Sequence, residues 1–376
     1  MIMTISHLFL QQYWWMIVSL LAGLLVFLMF VQGGQSMLFS LPKTAIQKTM
    51  LVNSMGRKWE FTFTTLVTFG GAFFASFPLF YATSFGGAYW VWIAILFSFI
   101  IQAVAYEFRS KPHNVFGQNT FDTFLFLNGS VGPFLIGTAV ATFFTGSAFS
   151  LNSLNQVQWS TKWYGLEALL NIRNISLGFA VLFLARVNGL LYIRNTIADE
   201  ELLKRTGKKT IINSFIFLVF FVFFMVTLLF SSGFAANNQT GNISVEEFKY
   251  FHNFIQMPSV LVLFLIGVIG VLYGIGISVF NNSTKGIWFS GAGTVLTVFS
   301  LFLIAGFNGT SFYPSSSDLQ SSLTITNSSS SLFTLRTMMY VSFIIPFVFV
   351  YTWYAWKAIN NTKITIEEMS TEGHKY

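Results

Sequence analysis

Apolar residues fall along the chain in nine long blocks separated by mostly short polar segments. An α-helix rises 1.5 Å per residue, so about 20 apolar residues match the roughly 30 Å hydrocarbon core of a bilayer. The pattern predicts membrane-spanning helices at 13–35, 59–83, 87–108, 121–146, 166–193, 211–233, 258–279, 287–306 and 335–357. The first block has no basic segment ahead of it and no small-residue cleavage site, so it reads as a retained helix rather than a signal peptide. The connections at 234–257 and 307–334 are longer and polar, and 195–209, with mixed charges, predicts a short solvated helix. Gly70-Gly71, Gly129, Gly132 and Gly137 suit close helix approach. Pro78, Pro133 and Pro346 predict bends. No internal repeat is visible, and 1–376 reads as a single membrane domain.

Composition supports an integral membrane protein. The chain is 54% hydrophobic and only 9% charged, where a soluble domain carries roughly a quarter charged residues. The net charge of +7 raises the question of nucleic acid, and its placement answers it. With nine spans, one side of the membrane collects fifteen Lys and Arg; the other has only Lys162, Lys249 and Arg336. That asymmetry predicts an N-terminus outside and a C-terminus in the cytoplasm. The basic excess then serves topology and attraction to anionic headgroups, not nucleic-acid binding.

The inventory of chemical groups is sparse. There is no cysteine, which excludes disulfides and thiolate metal sites within this chain. His7, His113, His252 and His374 fall in tails or loops, leaving no imidazole in mid-span to hold a heme. Met29 and Met225 read as core filler. There is no nucleophile–base arrangement and no phosphate-binding loop. The residues left to consider are polar groups in or near the spans, which are costly there and point to function. Glu60, just after Trp59, opens the second helix; Gln32 and Gln35 close the first at the same depth. Glu107 and Arg109 end the third helix as an interface ion pair or as snorkelling side chains, Asp122 starts the fourth, and Glu167 and Arg173 lie in the outer part of the fifth. Glu60 has two readings: a carboxylate favoured at a helix N-terminus by the macrodipole, or the mouth of a proton relay.

The segment Met50-Leu51-Val52-Asn53-Ser54-Met55-Gly56-Arg57-Lys58-Trp59-Glu60, continued by Gly70-Gly71-Ala72-Phe73-Phe74-Ala75-Ser76-Phe77-Pro78 and Tyr81-Ala82, resembles the second-helix pattern of subunit II of cytochrome bd-type quinol oxidases. Tyr106-Glu107-Phe108-Arg109-Ser110-Lys111 is similar to that family's motif at the end of helix 3. Phe312-Tyr313-Pro314-Ser315, Ser322-Leu323-Thr324 and Ser331-Leu332-Phe333-Thr334-Leu335 resemble the run before its last helix. Three blocks in order make the likeness specific, and in length and helix number it spans the chain.

The resemblance implies an all-α integral membrane fold of nine transmembrane helices, arranged as two four-helix bundles plus one peripheral helix. It implies a heme-free partner, non-catalytic alone, in a heterodimeric bacterial inner-membrane oxidase that oxidises quinol and reduces dioxygen. The b-type and d-type hemes and the quinol site belong to subunit I in that family. A structural quinone and small single-helix subunits occur in some members, and subunit II lines cytoplasmic proton uptake. This sequence departs from the pattern where the proton path is expected. The family's Asp-Gly-Phe-Asp at the end of helix 1 is Gln32-Gly33-Gly34-Gln35 here, and its Asp-Gly-Asn after the tryptophan is Glu60-Phe61-Thr62. An arginine common in helix 3 is Gln102, and Asn171-Ile172-Arg173 lacks the family's proline. Glutamine can join a hydrogen-bonded water chain but cannot store a proton. The alternative from another class is a secondary transporter of a small polar solute, against which stands the placement of polar groups near the faces rather than at mid-membrane.

Overall fold

The computed structural model describes residues 5–237 and 239–370, so His374 lies outside the described residues. Helix α1 (His7–Leu28) begins where the Ser6 hydroxyl accepts the Phe9 amide and passes through Met29 into the short α2 (Phe30–Gln35). Helix α3 (Ala45–Gly56), capped by Thr44, lies outside every predicted span. It leads through Arg57 and Lys58 into α4 (Trp59–Ser76). Proline has no amide hydrogen to donate, and at Pro78 the helix gives way to α5 (Pro78–Tyr81) and a wide turn at Ala82–Gly86. Next come α6 (Tyr89–Phe108) and α7 (Gln118–Thr145), the latter unbroken through Pro133, and the hairpin β1 (Phe149–Leu151) with β2 (Val157–Trp159).

Helix α8 (Ile172–Thr196) starts later than the fifth predicted span, capped by Asn171. The residues before it, Leu166–Leu170, form a tight 3₁₀ turn. The stretch 195–209 is not a separate helix: Asp199 caps α9 (Glu200–Leu229), and the charged residues are its first turns. Acidic Glu200 and Glu201 at that N-terminus suit the macrodipole. A second hairpin, β3 (Gly233–Ala236) with β4 (Ile243–Glu246), precedes α10 (Lys249–Gln256), α11 (Pro258–Phe280) and α12 (Gly286–Gly306). The last predicted span is two pieces, α13 (Leu332–Ser342) and α14 (Ile345–Ile359), separated just before Pro346. The short α15 (Ile366–Ser370) follows.

Among the described residues eight helices are long and apolar enough to cross a membrane. The predicted span absent from that set is 59–83. Its helix α4 forms, but Glu60 and four threonines dilute its apolar content, and Pro78 ends it early. The small antiparallel hairpins qualify an otherwise helical chain.

Consecutive helices pack as neighbours, α6 on α7, α7 on α8, α8 on α9 and α11 on α12; α1 runs against both α12 and α4. One core is aromatic: Trp15 packs on Phe73, Phe77, Phe302 and Phe312, and its indole N–H donates to the Phe302 carbonyl at 3.0 Å. Met29 and Met225 are buried within that core. In lipid, close backbone approach supplies much of the association energy. The backbones come close where α2 meets α7 and α8, as they do between α11 and α12. A Cβ added at Gly129 would stand 2.5 Å from the Gln32 carbonyl, and one at Gly33 would overlap the Ala185 carbonyl. Gly129→Val is therefore expected to cost about 3 kcal/mol, as overpacking does, and to lower the melting temperature of the purified protein. An unchanged melt would contradict this contact.

Candidate functional site

One end of the molecule, here termed the basic end, gathers Lys48, Arg57, Arg109 and the segment after α14. Just inside it, four elements bring amides together. The Gln32 side chain of α2 donates to Gln102 Oε1 of α6 at 3.3 Å, and Gln35 donates to the Tyr106 hydroxyl at 2.7 Å. Trp59 of α4 stacks on the Tyr106 ring, with centroids 5.7 Å apart. Helices α6 and α7 pair with Arg109 bonded to Asp122 and with Ser98 and Phe99 against Gly132, a register that sets Asn128 at about the level of Gln102. Gln32, Gln35, Gln102 and Asn128 are all buried.

Within this cluster Gln32 Oε1, Gln35 Oε1, Gln102 Nε2, both polar atoms of Asn128 and Trp59 Nε1 have no hydrogen-bond partner among the described residues. Buried polar atoms normally find partners in protein or ordered water. Six such atoms lie on α2, α4, α6 and α7, and groups of this kind are ordinarily satisfied by ordered water. Glu60 is exposed at the mouth of α4 and makes no ion pair among the described residues.

The remaining predicted residues separate. Arg109 and Glu107 do not pair with each other. Arg109 Nε donates to Asp122 Oδ1 at 2.7 Å and Lys48 Nζ to Asp122 Oδ2 at 3.1 Å, whereas Glu107 pairs with Lys111 at the surface. Glu167 is not in a membrane helix: it lies in the 3₁₀ turn, where it accepts the Gly165 amide. Arg173 sits in the first turn of α8 and donates to Ser231. Three groups escaped the sequence reading: Asn128, an amide in an apolar block; Lys48, the second cation on Asp122; and Lys58, counted only as a topogenic charge.

His7 lies at the first residue of α1 beside the Ser330 carbonyl, His252 pairs with Glu246, and His113 is in an exposed loop. No group of three or more His, Cys, Asp and Glu that could hold a metal occurs among the described residues. An apolar cavity of about 50 Å³ opens between α8, α9, α11 and α12, and one of about 20 Å³ lies beside Tyr313.

The fold and site define a polytopic helical membrane protein with a buried polar cluster near one face. The sequence profile of the cytochrome bd terminal oxidase subunit II family matches residues 10–359. The chain is 27% identical over 347 residues to the probable cytochrome oxidase subunit 2 of Haemophilus influenzae, covering 89% of this chain and 90% of that one. It is 26% identical over 377 residues to the cytochrome bd-I ubiquinol oxidase subunit 2 of Escherichia coli K12, covering 96% and 97%. Its fold is similar to a chain of the bd oxidase from Geobacillus thermodenitrificans, with a TM-score of 0.60 at 11% identity, covering 96% of this chain and 97% of that one.

The chain belongs to the cytochrome bd terminal oxidase subunit II family. It is thereby a subunit of a membrane-bound quinol:oxygen oxidoreductase, and the solute-transporter alternative has no support.

Proposed function

We propose that this chain completes a heterodimer with a heme-bearing subunit I and conducts protons from the cytoplasm toward that partner through the cluster at its basic end. The observation that carries the proton reading is the set of six unpartnered buried atoms around Gln32, Gln35, Gln102, Asn128 and Trp59. Glu60 collects protons at the exposed mouth. The amides, which cannot hold a proton, orient water between themselves and pass it on by hydrogen bonding. Glu107 and Arg173 hold their local surfaces, while Arg109 and Asp122 clamp α6 to α7 beside the cluster.

The b-type and d-type hemes are placed in subunit I, since the described histidines here sit at a helix start or in loops and short peripheral elements. The proposal places no structural quinone in this chain. In our reading α4 crosses as the ninth helix and the whole chain forms one membrane domain. One bundle comprises α1 with α2, α4, α6 and α7, the other α8, α9, α11 and α12, with α13 and α14 peripheral. The basic end faces the cytoplasm of a bacterial inner membrane, with the N-terminus opposite.

Two apolar surfaces suit two neighbours. Helix α11 exposes aliphatic Val262, Leu265, Ile266 and Ile269, which suit lipid or a small single-helix subunit. Helix α14 exposes Phe347, Tyr351, Trp353 and Tyr354, and no residue of it is fully buried. Its aromatic and hydroxyl groups suit a protein partner, so α14 is the surface we assign to subunit I.

Affinity purification of tagged chain from native membranes tests the heterodimer. A co-purifying large subunit with reduced b- and d-type heme bands is expected; a stable, colourless single chain would overturn it.

A further inference from the structure

We propose that the amine of Lys58 is a proton-binding site whose occupancy sets how firmly α14 and the segment that follows it are seated on the body of the protein. Lys58 lies in the turn joining α3 to α4, ahead of the membrane-crossing helix, and its side chain is 0% exposed. Its Nζ has no hydrogen-bond partner among the described residues. It stands 4.5 Å from the ring centroid of Trp356 and 5.5 Å from that of Phe61. A buried ammonium without a carboxylate is costly, and an aromatic face offsets only part of that cost.

Trp356 is the lid over this amine and also the anchor of α14. It packs on Phe30 of α2, Phe61 of α4, Tyr192 of α8 and Trp288 of α12. The segment beyond it is tied down on the same side. Tyr192 donates to Asn360 at 3.2 Å, Ile364 exchanges backbone hydrogen bonds with Thr196 and Ala198, and Glu368 pairs with Arg57. Lifting α14 would expose Lys58 to water; seating it removes the amine from water.

Among the described residues no carboxylate pairs with Lys58. Arg57, adjacent in the turn, is engaged by Glu368 of α15. Tyr192 lies across Trp356, Lys357 of α14 leans over the Trp353 ring, and Glu60 is exposed on α4. Burial, with a smaller contribution from the Arg57 charge, lowers the Lys58 pKa from 10.5 to about 7. The unseated lysine binds its proton up to its ordinary pKa, and the seated one only below about 7. Seating therefore strengthens as pH rises from about 7 toward 10.5, and is weakest, and level, below about 7. Should α14 also dock subunit I as proposed above, the same proton bears on assembly, but seating itself does not depend on that reading.

Hydrogen exchange of the intact oxidase, followed at residues 353–369 across pH, tests this. After correction for the intrinsic pH dependence of exchange, protection in the wild type should rise above pH 7 by up to about tenfold per unit, the slope of one linked proton. Lys58→Met should be well protected and insensitive to pH, and Lys58→Arg poorly protected throughout. Trp356→Leu, which removes the lid, should also abolish the pH dependence and serves if Lys58→Met does not assemble. Protection in the wild type that ignores pH, or a pH dependence that survives Lys58→Met or Trp356→Leu, would overturn the proposal.

Discussion

Asp122→Asn is expected to destabilise the protein by about 3–5 kcal/mol, the usual cost of removing one partner from a buried ion pair. Asp122 is 1% exposed and Arg109 3%, so the guanidinium has no route to water when the carboxylate is lost. Lys48, one quarter exposed, can turn outward and contributes less. The amide would keep a hydrogen bond to one cation while leaving both charges uncompensated where α6 joins α7. The expected result is a clearly lowered melting temperature for the purified oxidase. Adding Arg109→Leu to Asp122→Asn should recover much of the loss, because the stranded charge is then gone. An Asp122→Asn protein as stable as its parent would show that this triad is not what clamps the two helices.

The distribution of apolar residues carried most of the fold, because a bilayer requires every spanning segment to be long, apolar and internally hydrogen-bonded. The weakest assignments fell where that requirement loosens. α4 carries threonines and Glu60 yet still packs against α1, with the Thr62 hydroxyl bonded to the Leu28 carbonyl. The entry to α8 was displaced because Leu166–Leu170 are apolar but wind into a 3₁₀ turn, so hydropathy alone could not separate them from the helix. The first turns of α9 are charged and still helical, since Asp199 caps them and α9 extends past the apolar block.

Within the site, Gln32, Gln35 and Trp59 were legible as polar or motif residues at matching depth, and Gln102 only as a departure from the family's pattern. Their convergence was not, because it depends on the pairing of α2, α6 and α7. Asn128 illustrates the difference. Its neighbours Gly129 and Gly132 mark a close helix contact, and only the α6–α7 register places the amide at the level of Gln102. Arg109 and Glu107 are two residues apart in sequence, and helical geometry sends them to different partners. Lys58 looked like one more topogenic charge; its burial arises from Trp356, almost 300 residues away.

The second large effect concerns turnover. Beyond Glu60 the path runs through amides that cannot store a proton, so conduction depends on an unbroken set of hydrogen-bonding groups, and one apolar side chain in the middle should interrupt it. Gln35→Leu removes the link to Tyr106, and Asn128→Leu removes two of the unpartnered buried atoms. Each is expected to slow oxygen reduction at least about tenfold, equivalent to roughly 1.4 kcal/mol on the limiting step. Glu60→Gln should have a smaller effect, largest at high pH where protons are scarce, because an exposed carboxylate collects protons without being the only entrance.

The measurement that bears most directly on the central claim is oxygen consumption by the purified Gln35→Leu oxidase, compared with the parent at matched heme content. A loss of about tenfold or more with unaltered heme spectra is the expected outcome. Turnover equal to the parent's, with the hemes intact, would contradict proton conduction through this cluster and leave the chain a structural partner of subunit I.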